Sequence, residues 1–201
     1  MRAFMRIAAV TAAAGLFLAP AVGAASAAAT HPAPHLSHVL GGSTHVTTAP
    51  GIAHALLANG IVPIATSPAT ATLTGGGNFR FVLPVTGGSV GAVPPSGHIN
   101  HAGGILFFKS LSHNLRISSF RISLASRTLS AKVSISGNPR VGIFKLDLSH
   151  AVFRHTLHSV TVSNVGLKLT APAAAALDAA LVTNAFTPGM KVGTSSTTLR
   201  I

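Results

Sequence analysis

Gly97-His98-Ile99-Asn100-His101-Ala102-Gly103-Gly104-Ile105-Leu106-Phe107 is the stretch on which the fold turns. Gly103-Gly104 has the chemistry of a tight turn. The segment therefore reads as a strand entering that turn and a second strand leaving it through Ile105 and Phe107, with two histidines on the approach. Upstream, Phe79, Phe81, Leu83 and Val85 share one face with Arg80 and Val82 opposite, the period of two that marks a half-buried strand. Thr86-Gly87-Gly88-Ser89 reads as a turn and Val93 to Gly97 as a loop. Downstream, Leu115 with Ile117 opens one strand, and Phe120, Ile122 and Leu124 face the core in the next. After a tight connection at Arg127-Thr128, Leu129, Ala131, Val133 and Ile135 alternate cleanly with Ser130, Lys132 and Ser134.

Beyond the turn Gly137-Asn138-Pro139, the apolar phase shifts between Ile143 and Phe144, which predicts a β-bulge. Val160 with Val162 and then Leu167 with Leu169 give two more strands, and Met190 to Ile201 closes the chain as a Thr-rich strand. Two short helices interrupt this pattern. Pro50 to Asn59 carries Ile52, Ala55 and Leu56 on one face, with Asn59-Gly60 as its stop signal. Pro172 to Leu181 is Ala-rich. Thr-Ala-Pro precedes both helices, and the segments after Phe81 and Phe144 echo one another weakly, with Gly104 against Gly166. About ten strands at roughly 8–12-residue spacing with two helices predict a mainly β fold: an antiparallel sandwich or open barrel with helices plugging its ends.

The N-terminus has a different character. Arg2 and Arg6, the apolar run Ile7 to Val22 and the small residues Ala25-Ser26-Ala27 form a secretory signal over residues 1–29. Residues 30–47, with His31, His35, His38 and His45 among Pro, Gly, Ser and Thr, read as a flexible leader. Residues 48–201 then form one domain, roughly the length at which a single core suffices. No later run has the ~18–20 unbroken apolar residues of a membrane span. Without Arg2 and Arg6, twelve Lys and Arg face only Asp147 and Asp178, a net of +10, and the chain has no Cys, Trp or Tyr. Disulfides and lipid attachment at Cys are excluded, and an exported chain without Trp or Tyr suits nucleic acid poorly.

Such a surface attracts polyanions, with an anionic cell-wall polymer or membrane surface as the expected partner. Arg80, Arg121, Lys132, Lys145 and Lys168 fall on the polar phase of their strands and would form a cationic stripe if those strands are neighbours. Two carboxylates leave no paired-acid site, and Asp147 reads as a local partner for a neighbouring cation. Gly87 to Gly91 matches G-x-S-x-G only formally, because that motif needs a strand-to-helix turn. His150, His155 and His158, spaced by five and three, do not fall on one side of a strand, and no metal site is assigned. No enzyme activity is expected.

The order of motifs resembles the HtaA-type domain of secreted actinobacterial haem-uptake proteins, and more closely their exported single-domain relatives. The resemblance is carried by Phe81-Val82-Leu83-Pro84-Val85-Thr86-Gly87-Gly88, His98 to Ile105, Phe120-Arg121-Ile122, Leu129 to Val133, Phe144-Lys145-Leu146-Asp147-Leu148-Ser149 and Leu169 to Leu177. It spans about Thr48 to the C-terminus. It implies a β-rich fold and, in haem-binding members, an axial tyrosine supported by a histidine. His101 matches that histidine. The tyrosine has no counterpart, because its usual segment is replaced by the helix around His54. Haem-iron ligation by histidine is general chemistry, so His101 with His98 or His54 is a candidate ligand set. Two readings stand: a non-catalytic exported envelope protein whose basic face binds an anionic surface, or a haem-binding module.

Overall fold

The computed structural model describes residues 36–91 and 95–201. The signal segment, His31 and His35 lie outside the described residues. In chain order the elements are β1 (Ser37–Val39), β2 (Gly41–Thr48), α1 (Ile52–Ala58), β3 (Val62–Thr66), β4 (Thr70–Leu73), β5 (Phe79–Gly91), β6 (Ser96–His101), β7 (Gly104–Phe108), β8 (Asn114–Ser123), β9 (Thr128–Val133), β10 (Arg140–Asp147), β11 (Val152–His155), β12 (Ser159–Leu169), α2 (Ala171–Leu181) and β13 (Lys191–Arg200).

The fold is mainly β and a barrel, one of the two architectures expected, but the barrel is closed and not open, and thirteen strands are present among the described residues where about ten were expected. Eight antiparallel strands form the ring β5-β2-β13-β12-β10-β9-β8-β6, and β6 closes it by pairing with both β5 and β8. Closure removes the ring's open edges. The remaining five strands, β1, β3, β4, β7 and β11, extend outward from this ring. Inside lie Phe81, Leu83 and Val85 of β5, Ile122 of β8, Leu129 and Ala131 of β9 and Leu167 of β12, all buried in one cluster. Burial of such side chains is worth roughly 1.5–3 kcal/mol each and dominates the folding free energy.

Several boundaries differ from the pattern reading, each for a local reason. Residues 37–48 are not a flexible leader. β2 is an interior strand of the ring, hydrogen-bonded to β5 and β13, and Thr44, Val46 and Thr48 point inward. Its inward row is mostly hydroxyl-bearing, so the alternation is present without the usual apolar signal. Gly87-Gly88-Ser89 is not a turn, because β5 runs through it while pairing with β1 and β6. Leu115-Ile117 and Phe120-Ile122 belong to one strand, β8, whose register shifts between Ser118 and Arg121. Val162 and Leu167 likewise share β12, with a shift between Val162 and Val165. Ser119 and Asn164 take positive φ at these two points (52° and 58°), the extra residue of a bulge that reverses which side chains face inward. The bulge read from Ile143-Phe144 is present, as a register shift between Gly142 and Phe144.

The two helices close the same end of the barrel, following β2 and β12, whose last residues flank the start of β13. α2 buries Ala173, Ala174, Leu177 and Leu181. Its first turn is capped by the Thr170 hydroxyl, which accepts from Ala173 N, with Pro172 in the first turn where a missing N–H costs nothing. At its other end the Lys109 ammonium donates to the Leu181 and Val182 carbonyls at 2.9 and 3.1 Å, a cation where the helix dipole is negative.

Candidate functional site

The stretch 97–107 does not form a hairpin. β6 and β7 do not pair with each other; both run along β8, β6 against Asn100↔Arg121 and β7 against Gly104↔Ser118. They are two halves of one strand line, broken at Ala102-Gly103. The break is tied on both sides: Ala102 N donates to the Pro84 carbonyl at 3.0 Å, and Ser119 N to the Gly103 carbonyl at 3.3 Å. Gly103 has φ of +82°, and a Cβ there would lie 2.5 Å from Ala69 N, so only glycine fits.

His101 is the last residue of β6, opposite Val85. At this point the barrel wall forks. β5 exchanges β6 for β4, its residues 79–82 pairing with β4. β8 exchanges β6 for β7, which in turn pairs with β3. β3 and β4 are successive in the chain, and between them lies a groove of about 480 Å³ lined by Ile64, Ala65, Ala69, Leu73 and Phe79 among others. Its lining is mostly apolar, with Thr70 and Thr72 as the polar members.

His101 points into the barrel and is 4% exposed. Its Nε2 lies 2.7 Å from Thr44 Oγ1, and that hydroxyl lies 2.8 Å from Thr197 Oγ1, which joins β6, β2 and β13 by a buried polar chain. Nδ1 is buried and has no hydrogen-bond partner among the described residues. Burial pushes the imidazole pKa down to about 4, and the Phe120 backbone, close to the ring, opposes this only in part without meeting hydrogen-bond geometry at Nδ1. The ring is therefore neutral at physiological pH. The neutral ring has one N–H to give: on Nε2 toward Thr44, which leaves Nδ1 the bare lone pair with which imidazole ligates a metal, or on Nδ1 toward the Phe120 carbonyl, with Nε2 accepting from the Thr44 hydroxyl.

The other proposed ligands do not join it. Odd and even residues of a strand face opposite ways, so His98, opposite Ser123 and Ser89, lies on the outer face while His101 lies inside. His54 is exposed on α1. His150, His155 and His158 are exposed around β11, and no group of three metal-ligating side chains converges among the described residues.

The cationic stripe is incomplete. Arg121, Lys132, Lys145 and Lys168 are exposed on the successive strands β8, β9, β10 and β12, but Arg80 lies on β5 against Thr47 and Thr72, away from them. Lys145 and Lys168 stand directly opposite each other. Like charges so placed repel, and each has its own partner: Lys168 Nζ is 2.8 Å from Asp147 Oδ2, and Lys145 Nζ donates to Thr128 Oγ1 at 2.9 Å. The Lys168 ammonium first, and the Ser149 hydroxyl and N–H next, hold the Asp147 carboxyl well below the usual carboxylate range. Asp147 is thus the local partner expected of it.

No protein-family model and no curated protein matches the chain in sequence. Among solved structures it is similar to the C-terminal domain of HtaA from Corynebacterium glutamicum, at TM-score 0.60 and 17% identity, over 83% of this chain and 99% of that one. It is also similar, more loosely, to the heme binding protein HtaB from Corynebacterium glutamicum, at TM-score 0.40 and 12% identity, over 83% and 96% of the two chains. The first likeness shows that the barrel is of HtaA type.

Proposed function

We propose that this chain is a non-catalytic, exported haem-binding module on an HtaA-type barrel, with His101 as the iron ligand. The observation that carries the reading is the state of His101. It is the histidine that the family resemblance singles out, it is neutral, and Nδ1 has no side-chain partner while Nε2 is held by Thr44, itself tied to Thr197. Metal-ligating histidines have this form, one nitrogen for the metal and the other fixed by a hydrogen-bonded neighbour. The apolar groove between β3 and β4 adjoins the same fork, with Ala69 against Gly103, and offers aliphatic side chains and Phe79 to a macrocycle; His101 itself stands behind it and is not part of its lining. These residues fit haem even without the family's tyrosine.

When bound, haem supplies the iron and an apolar macrocycle. The protein supplies a neutral ligand, a hydroxyl chain that fixes its ring plane, and apolar contact. Because the ring is 4% exposed, His101 would hold iron only where the wall around it opens. Hemin titration tests the reading. We expect a red-shifted Soret band saturating at one equivalent, absent in His101→Ala and retained in His98→Ala and His54→Ala. A wild-type chain that leaves the hemin spectrum unchanged overturns it. The alternative in which the basic face is the primary function draws less support, since Lys145 and Lys168 already have partners and Arg80 stands apart.

A further inference from the structure

The end of the barrel opposite the helices carries an unusual row of side chains. β11 and β12 form a protruding hairpin whose tip, Thr156 to Ser159, is closed by Thr156 N donating to the Ser159 carbonyl. At that tip Leu157 is 84% exposed, and on β11 Phe153 is 63% exposed. The neighbouring strand end continues the row: Ile201 N donates to the His158 carbonyl, and Leu40 N to the Arg200 carbonyl, which brings Leu40, itself 69% exposed, alongside. Ser159, Arg200 and Gly41 are successive register partners across β12, β13 and β2. Two large apolar side chains, Leu157 and Leu40, thus stand at adjacent strand ends beside Arg200, and Phe153, opposite Val162, is exposed further back on the hairpin, with Arg154 next to it in the strand.

Isolated exposed leucines need no explanation, but a row on one rim of a compact barrel does. The side-chain charge around it has one sign, although the chain's last residue, Ile201, also lies here with its main-chain carboxylate. Of the two side-chain carboxylates, Asp147 is paired with Lys168, and Asp178 sits on α2 at the far end of the barrel. Apolar tips with Arg154 and Arg200 close by, neither in a salt bridge among the described residues, match one chemistry well: an anionic bilayer surface, whose headgroups attract Arg while Leu and Phe enter the acyl boundary. The barrel wall itself does not fit the bilayer core, since it presents Lys132, Lys145 and Lys168 outward, the reverse of a membrane-spanning barrel. We infer that the rim formed by the β11–β12 hairpin and the adjoining ends of β13 and β2 docks this protein peripherally on anionic phospholipid. This stands independently of haem binding.

The chain contains no Trp or Tyr, so one introduced indole reports a single place. In the full chain, Leu157→Trp should shift its emission to the blue on phosphatidylglycerol vesicles and not on phosphatidylcholine. Leu111→Trp, on a loop at the helix end and 91% exposed, should not respond to either. In co-sedimentation, Phe153→Ser/Leu157→Ser should lower the vesicle-bound fraction at least about tenfold, in line with the loss of two buried apolar side chains. Equal shifts at both positions, equal response to both lipids, or no shift at Leu157→Trp overturns the inference. So does binding that soluble polyphosphate abolishes while the indole never shifts, which would assign the rim to polyanions in solution.

Discussion

Burial of His101 makes stability depend on pH in a definite direction. The folded chain keeps this imidazole neutral down to about 4, whereas an unfolded chain takes up a proton near 6.5. Above pH 6.5 the group has no effect on stability. As pH falls the unfolded state binds more protons, and the fold loses about 3 kcal/mol by pH 4, after which the loss levels off. Urea unfolding at pH 7.5 and pH 4.5 should show this loss, and His101→Leu should remove most of it. Thr44→Val tests the other half of the polar chain: it leaves Nε2 without its partner and should cost roughly 1–3 kcal/mol in the same measurement. The two partners were unequally legible. His101 stands in the sequence beside a glycine pair within a motif that points to it. Thr44 lies 57 residues away in a Gly/Ser/Thr stretch that has the composition of a linker. Hydroxyl groups satisfy one another inside this barrel, and that pairing has no hydropathy signature.

Strands were legible wherever alternation is uninterrupted, as in Leu129 to Val133, and misleading wherever it changes phase within one strand. Ser119 and Asn164 each shift the inward row by one residue, so β8 and β12 read as two strands apiece. Ala102-Gly103 does the opposite, resembling a hairpin turn while it breaks a single strand line. The glycines separate tight approach from mere conformation. Gly103→Ala meets Ala69 N at 2.5 Å and also takes a strained φ, whereas Gly137→Ala at φ +81° has nothing within 4 Å. Gly137→Ala should therefore cost only the conformational penalty of about 1–2 kcal/mol. Gly103→Ala should cost clearly more, enough to lower the melting temperature by about 10 °C or beyond in a chain of this size. At the end of α2, Lys109→Ala should remove about 0.5–1 kcal/mol by uncovering two terminal carbonyls, seen as a lower urea midpoint with unchanged slope.

At the scale of the whole molecule, closure was the part that pattern could not supply. Which strand meets which is a matter of distant pairing, and the ring depends on β6 meeting β5 and β8 at once. Its core should behave as one unit: Leu167→Ala, fully buried where β10, β12 and β13 meet, should cost about 2–5 kcal/mol as judged by denaturant unfolding. The wall and its outer strands are also one hydrogen-bonded fabric, since β8 carries the ring through β6 on one half and the outer strands through β7 on the other. That shared strand sets an order for amide hydrogen exchange. Opening has to begin at the free edge of β3, pass through β7 and only then reach β8. Deuterium should enter in that sequence, and a ligand seated between β3 and β4 should slow its first step most.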